Sequence, residues 1–185
     1  MFKSLANKLT LSRIFLIPLI LFLLVLPFQW AAWAAWLLFT VAGVTDWLDG
    51  YLARRDNQVS KIGQFLDPIA DKLLVSAVIL LLVYNEKITG LTVFPALVIL
   101  LREVAVSGLR EFLADLRVSV PVSRLAKWKT TIQLFALGFL IVGTQNTPEW
   151  IHATFWGDVL LWIAAVLTMI TGYDYWRGSQ KHFED

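Results

Sequence analysis

The sequence predicts an all-α integral membrane protein of six transmembrane helices, and three observations carry that prediction. Of its 185 residues, 58% are hydrophobic and only 16% are charged, too apolar for an ordinary soluble domain and too short for several membrane domains. Six apolar segments follow one another, at roughly 11–28, 30–52, 63–84, 91–112, 124–142 and 150–175. If they alternate in direction, fifteen of the sixteen Lys and Arg residues fall on one side, the asymmetry expected of a cytoplasmic face. Residues 1–185 read as a single domain, without internal repeat, low-complexity tract or long linker. There are no cysteines, which excludes disulfide and thiolate-metal chemistry.

The first segment follows Lys3, Lys8 and Arg13, and with the later AAWAA it resembles a signal peptide. It is expected to stay as the first span, because the apolar stretch continues past those alanines. Pro27 and Gln29 separate it from the second segment, which ends in the polar run from Arg55 to Lys61. The third has an uninterrupted apolar part only over 73–84, about 18 Å at 1.5 Å per residue, against a hydrocarbon core about 30 Å thick. Its first turns, with Asp67 and Asp71, therefore lie near the inner boundary. Asn85 to Gly90, Asp115 to Val122 and Gly143 to Pro148 supply the remaining breaks. Segments four and five share the profile of the third, apolar above and charged below. Helices are preferred throughout because backbone in lipid must bond internally. With both termini in the cytoplasm, Lys87 alone among the basic residues is outside, and Trp30, Trp33, Trp150 and Trp156 form an outer aromatic belt.

One run holds the chemistry: DWLDGYLARRDNQVSKIGQFLDPIADK, residues 46–72. Asp46 and Asp49 are three apart, and Asp67 and Asp71 are four apart. In a helix each pair shares a face. Gly50 and Ala53 share the face of the first pair, and Gly63 lies one turn before the second. Charged groups at membrane depth mark functional sites by default. Four clustered carboxylates repel one another unless cations sit between them, and hard oxygen ligands suit Mg²⁺ or Mn²⁺. Solvated helix caps would explain one such aspartate, but not four with glycines in register. The expectation is a polar, metal-binding cavity open to the cytoplasm and sunk into the inner leaflet. A divalent-cation transporter is the alternative from another class, although no polar chain continues toward the outer face.

The same run reads D-x2-D-G-x2-A-R-x8-G-x3-D-x3-D, met at Asp46, Asp49, Gly50, Ala53, Arg54, Gly63, Asp67 and Asp71. It resembles the signature of the CDP-alcohol phosphatidyltransferases. Residues 7–14, 102–111 and 126–131, with the chain's size and hydrophobic pattern, are similar to the bacterial glycerophosphate-using members of that family. The resemblance implies transfer of a phosphatidyl group from CDP-diacylglycerol to glycerol 3-phosphate, with release of CMP. Members with the same chemistry use phosphatidylglycerol, serine or an inositol phosphate as acceptor. It further implies two metal ions, Mg²⁺ or Mn²⁺, at Asp46, Asp49, Asp67 and Asp71, with Asp71 also the candidate general base. Asp49, Gly50, Ala53, Arg54 and Gly63 are implied to receive the nucleotide. The implied setting is a homodimer in the bacterial cytoplasmic membrane, among membrane lipids and without nucleic acid as a partner.

For the acceptor phosphate the candidates are Arg110, Lys127, Lys129 and Arg102, at helix ends facing the anionic site. Glu103, Ser107 and Arg110 share a helix face, and arginine and lysine suit phosphate contact. Arg110 and Lys127 are favoured because they fall in the stretches that resemble glycerophosphate-using members. Ala126 departs from the glycine usual there, and Ala6 from the proline usual before Asn7. His152 and His182 have no metal-ligand partner at helical spacing.

Overall fold

The computed structural model describes residues 5–56, 61–116, 118 and 124–180, with the backbone alone at 5–11, 46–56, 61–65, 67, 68 and 124. Among the described residues the fold has six α-helices: α1 Leu5–Val25, α2 Gln29–Asp56, α3 Lys61–Tyr84, α4 Val93–Asp115, α5 Arg124–Val142 and α6 Ala153–Ser179. Single 3₁₀ turns at Gly90–Thr92, Thr144–Asn146 and Glu149–Ile151 fill the connections between α3 and α4 and between α5 and α6. The six apolar segments are therefore the six helices. The largest differences are at charged ends, where α1 begins earlier and α2 and α6 end later than hydrophobicity alone indicates. Polar side chains outside the apolar core do not stop a helix, so hydropathy marks the buried length rather than the helical length.

This is an all-α membrane protein. Among the described residues, Gly90–Asp115, Leu125–Val142 and Glu149–Ser179 are long and apolar enough to cross a bilayer, and Ser12–Val25 is a shorter apolar helix. The aspartate-bearing helices α2 and α3 have 28 and 24 residues, about 42 and 36 Å at 1.5 Å per residue. Large apolar side chains point outward on every helix, including Phe22, Leu37, Leu80, Val104, Phe135 and Val166. In water this would be an aggregation surface; around a bundle of this length it is the lipid face.

The interior is small and tightly spaced. Ala31, Ala35, Phe39 and Ala42 of α2 are buried with Ile20 of α1, Val78 of α3 and Leu137 and Leu140 of α5. Helices cannot gain from a hydrophobic driving force inside lipid, so close backbone approach carries the packing. Gly157 of α6 is the clearest case: a Cβ there would stand 2.7 Å from Leu140 Cγ, a clash that only glycine avoids. α6 packs most extensively on α5 and also on α4, while α1 packs on α2 and α3.

Side-chain bonds identify which helix ends share a side. Asn85, after α3, donates Nδ2 to Leu24 O at 2.7 Å, near the end of α1. Lys87 donates Nζ to Ile141 O, near the end of α5. Trp33, in the second turn of α2, donates Nε1 to Asn146 O at 3.2 Å. Each satisfies a carbonyl that a helix end or turn leaves without an intrahelical donor. Burial holds the Lys87 ammonium below its ordinary pKa. Gly143, at φ +69° and ψ 166°, follows α5 in an extended, positive-φ conformation that glycine adopts without strain. The ends of α1, α3 and α5 thus meet the starts of α2, α4 and α6, together with exposed Trp30, Trp33, Trp150 and Trp156. The opposite end gathers the aspartate-bearing stretches of α2 and α3 and the basic stretches of α4 and α5.

Candidate active site at the charged end of the bundle

α2 and α3 carry the aspartate pairs in unbroken helix, so the three- and four-residue spacings are true helical spacings. The side chains of Asp46, Asp49, Gly50, Ala53, Arg54, Gly63 and Asp67 lie outside the described residues. Asp71 is described. Its side chain is 49% exposed, and its Oδ1 accepts a hydrogen bond from Arg13 Nη1 at 2.9 Å. Arg13 itself is fully buried in α1. A buried guanidinium is costly unless paired, and here the carboxylate of the signature's last aspartate is its partner. Among the described residues no three His, Asp or Glu side chains gather. Three of the four aspartates fall outside that set. The donor chemistry fits a hard divalent cation, since α2 and α3 carry aspartates in their sequence at the same end of the bundle and the Asp71 carboxylate is half open to solvent.

In the sequence Arg13 counts only as a cytoplasmic positive charge. A signal for its pairing is there: an arginine at the edge of an apolar helix needs a counter-charge, and the signature supplies a cluster of carboxylates. Periodicity could not say which of the four it would meet.

The basic residues separate into two groups. Lys129 of α5 is buried and donates Nζ to Glu103 Oε1 of α4. Arg102 reaches the same oxygen with Nη1 at 3.4 Å and donates Nη2 to Thr171 Oγ1 of α6 at 3.1 Å. Gly172 makes room for this guanidinium, since a Cβ there would lie 3.1 Å from Arg102 Cγ. Arg110, two turns below on α4, acts as a like charge on both Arg102 and Lys129, and its guanidinium lies 5.8 Å from the Tyr175 ring centre. Arg102 and Lys129 thus share one carboxylate with Arg110 as a further cation nearby, leaving a positive surplus in a partly buried seam. Lys127 is exposed. Two residues from Lys129, it sits on a different face of α5 and does not join this cluster. Ser107 Oγ and Gln133 Oε1 are buried without a hydrogen-bond partner. They lie one turn from Glu103 and Lys129, which adds unmet polar capacity beside the surplus charge.

An anionic pole on α2 and α3 therefore stands at the same end as a cationic pole between α4, α5 and α6. Such a pair suits a reaction in which one phosphorylated substrate is held through metal ions and another through basic side chains. The sequence pattern of the CDP-alcohol phosphatidyltransferases matches residues 3–170, and the chain belongs to that family. A Rickettsia felis protein named CDP-diacylglycerol–glycerol-3-phosphate 3-phosphatidyltransferase is 48% identical over 181 residues, 98% of each chain. Proteins of the same name from Haemophilus influenzae and Salmonella typhimurium are 43% and 42% identical. The alignments cover 90% and 98% of this chain and 88% and 98% of theirs.

Proposed function

We propose that this protein transfers the phosphatidyl group of CDP-diacylglycerol to glycerol 3-phosphate, giving phosphatidylglycerophosphate and CMP. The observation that carries the reading is the complete aspartate signature on α2 and α3, in a chain similar over its whole length to relatives named for this reaction. The acceptor hydroxyl oxygen attacks the phosphorus beside the lipid, and the bond from that phosphorus to the CMP oxygen breaks. Asp71 takes the hydroxyl proton. Asp46, Asp49, Asp67 and Asp71 would hold two divalent ions, Mg²⁺ or Mn²⁺, which would polarise the pyrophosphate and neutralise the departing oxygen. Gly50, Ala53 and Gly63 admit the nucleotide against bare backbone, with Asp49 and Arg54 beside it. Phosphoryl transfer depends mainly on positioning and charge neutralisation, in keeping with a site poor in other reactive groups.

The surplus positive charge of Arg102, Arg110 and Lys129 supports a phosphorylated acceptor over serine or a neutral alcohol; Lys127 is exposed and stands apart from that group. A lost charge-assisted contact is worth about 1.5–3 kcal/mol, or roughly 10- to 150-fold in kcat/KM for the acceptor. Arg110→Ala and Lys129→Ala should therefore weaken use of glycerol 3-phosphate by that factor and leave the apparent affinity for CDP-diacylglycerol nearly unchanged. Arg117→Ala, outside the described residues, is the control for general loss of positive charge. The assay is CMP release with glycerol 3-phosphate, glycerol, serine and phosphatidylglycerol as alternative acceptors. Glycerol reacting as well as its phosphate would remove the phosphate seat from the reading.

The setting is a homodimer in the bacterial cytoplasmic membrane, with residues 1–185 as one catalytic domain and the charged end of the bundle in the cytoplasm. The distribution of basic residues supports this orientation. A reporter fused after Asp185 should read cytoplasmic, and one inserted near Thr147 should read external. The reverse pattern would put the site on the wrong side for a cytosolic phosphate ester.

A further inference from the structure

Gln133 of α5 is an amide buried at membrane depth, 3% exposed, and its Oε1 has no hydrogen-bond partner. A buried carbonyl left without a donor is unfavourable, so it asks for a partner that the protein alone does not supply. Its place on α5 narrows what that partner is. Gln133 stands four residues from Lys129, on the same helix face and one turn, about 6 Å, farther from the charged end. α5 packs on both α6 and α2, so it lies between the basic seam and the first aspartate pair. The register with α2 is set at Gly43, where a Cβ would meet Leu134 Cδ1 at 3.4 Å. The two helices run in opposite directions, and Asp46 comes three residues after Gly43. The Asp46 backbone is therefore level with the turn of α5 between Lys129 and Gln133. Within the seam, Glu103 Oε1 already accepts from Lys129 and Arg102, and Thr171 Oγ1 accepts from Arg102. Gln133 Oε1 is an acceptor at that level still without a donor.

We infer that Gln133 reads the secondary hydroxyl of the acceptor substrate, its Oε1 accepting the hydrogen bond that the C2 O–H donates. The inference rests on the proposed transfer to glycerol 3-phosphate, with the phosphate held by the basic seam and the attacking primary hydroxyl turned toward Asp71. The carbon between them then passes along α5, beside the amide. That middle hydroxyl is what separates glycerol 3-phosphate from a simple hydroxyalkyl phosphate, and its chirality separates the two glycerophosphate enantiomers. A seat made of charge alone does not tell these esters apart, because each carries the same phosphate and a primary hydroxyl. A buried acceptor does: a substrate without the hydroxyl leaves the amide unpaired, and that loss falls on the analogue alone. Gln133 is thus a specificity-determining residue of the acceptor site, while the seam supplies affinity for the phosphate of any such ester.

The test uses the full-length enzyme in detergent micelles with CDP-diacylglycerol as donor. It reads CMP release with sn-glycerol 3-phosphate, sn-glycerol 1-phosphate and 3-hydroxypropyl phosphate, which lacks the middle hydroxyl. Wild type should favour the first over the last by about 10-fold or more in kcat/KM. Gln133→Met, close in volume and without the carbonyl, should bring that ratio near one, chiefly by loss with glycerol 3-phosphate. It should also narrow the preference between the enantiomers and leave KM for CDP-diacylglycerol unchanged. If Gln133→Met is not recovered folded, Gln133→Asn, which draws the amide back by one methylene, decides by the same ratio. A ratio equal to wild type, whether activity is kept or falls evenly with all three esters, would overturn the inference and leave Gln133 as a packing group. A wild type that uses 3-hydroxypropyl phosphate as well as glycerol 3-phosphate would overturn it too. Absence of CMP release from wild type with glycerol 3-phosphate would instead sink the reaction on which the inference rests.

Discussion

Turnover should vanish when divalent cations are chelated and return when Mg²⁺ or Mn²⁺ is added in excess. Two carboxylate pairs, Asp46 with Asp49 and Asp67 with Asp71, are carried on the helices α2 and α3 at intervals that place each pair on one face. Like charges brought together at membrane depth are unfavourable without a bridging cation, so the site's own chemistry asks for the metal. Asp46→Asn, Asp49→Asn and Asp67→Asn should each lower kcat by orders of magnitude, about the scale seen when a preorganised electrostatic group is removed from an active site, 10²–10³-fold. The loss should be partly offset at high Mn²⁺ if the remaining ligands still bind an ion weakly. The measurement is CMP release against free metal concentration for each variant. Full activity of wild type in excess chelator would end the metal reading. Equal activity of Asp46→Asn would show that the aspartate array is a structural cap and not a ligand set.

Much of the fold was legible because lipid removes alternatives. Where a segment is apolar over a membrane's thickness, helix is the only unbroken backbone it can adopt, which accounts for α4, α5 and α6; the shorter apolar stretches of the others, set between polar breaks, were enough to locate them. The side-chain consequences were less legible. The four aspartates announced themselves by spacing, since period 3.6 converts sequence intervals into faces. The basic residues did not, because the positive-inside rule already accounts for many of them. Lys127 and Lys129 look alike in sequence, yet Lys129 is buried against Glu103 and Lys127 is exposed. That difference depends on where α4 meets α5, a tertiary fact with no local signal. Thr171 and Gly172, which bind and accommodate Arg102 from α6, were invisible for the same reason. Arg13 lay between these cases: its burial in an apolar helix demanded an anion, but only the packing of α1 on α3 names Asp71.

That pairing carries the second large expectation. Arg13→Ala should cost roughly 10²-fold in kcat, the scale of a small misplacement in a reaction governed by positioning. On the proposed mechanism Arg13 is a positioning residue: its buried guanidinium bonds one oxygen of Asp71, the carboxylate proposed to act on the acceptor. KM for CDP-diacylglycerol and for glycerol 3-phosphate should change much less than kcat, since neither the basic seam nor the rest of the signature is altered. Arg13→Lys should recover part of the loss, because it restores the charge but not the directed guanidinium geometry. Asp71→Asn should be at least as damaging as Arg13→Ala, as it removes the carboxylate proposed both as metal ligand and as proton acceptor. The double variant should then be scarcely worse than Asp71→Asn alone, because the two residues act through one carboxylate. A general folding defect predicts something different: low recovery of Arg13→Ala in detergent, with the surviving enzyme showing normal kcat. Near-normal kcat in well-folded Arg13→Ala would leave the ion pair as a structural tie between α1 and α3 with no part in catalysis.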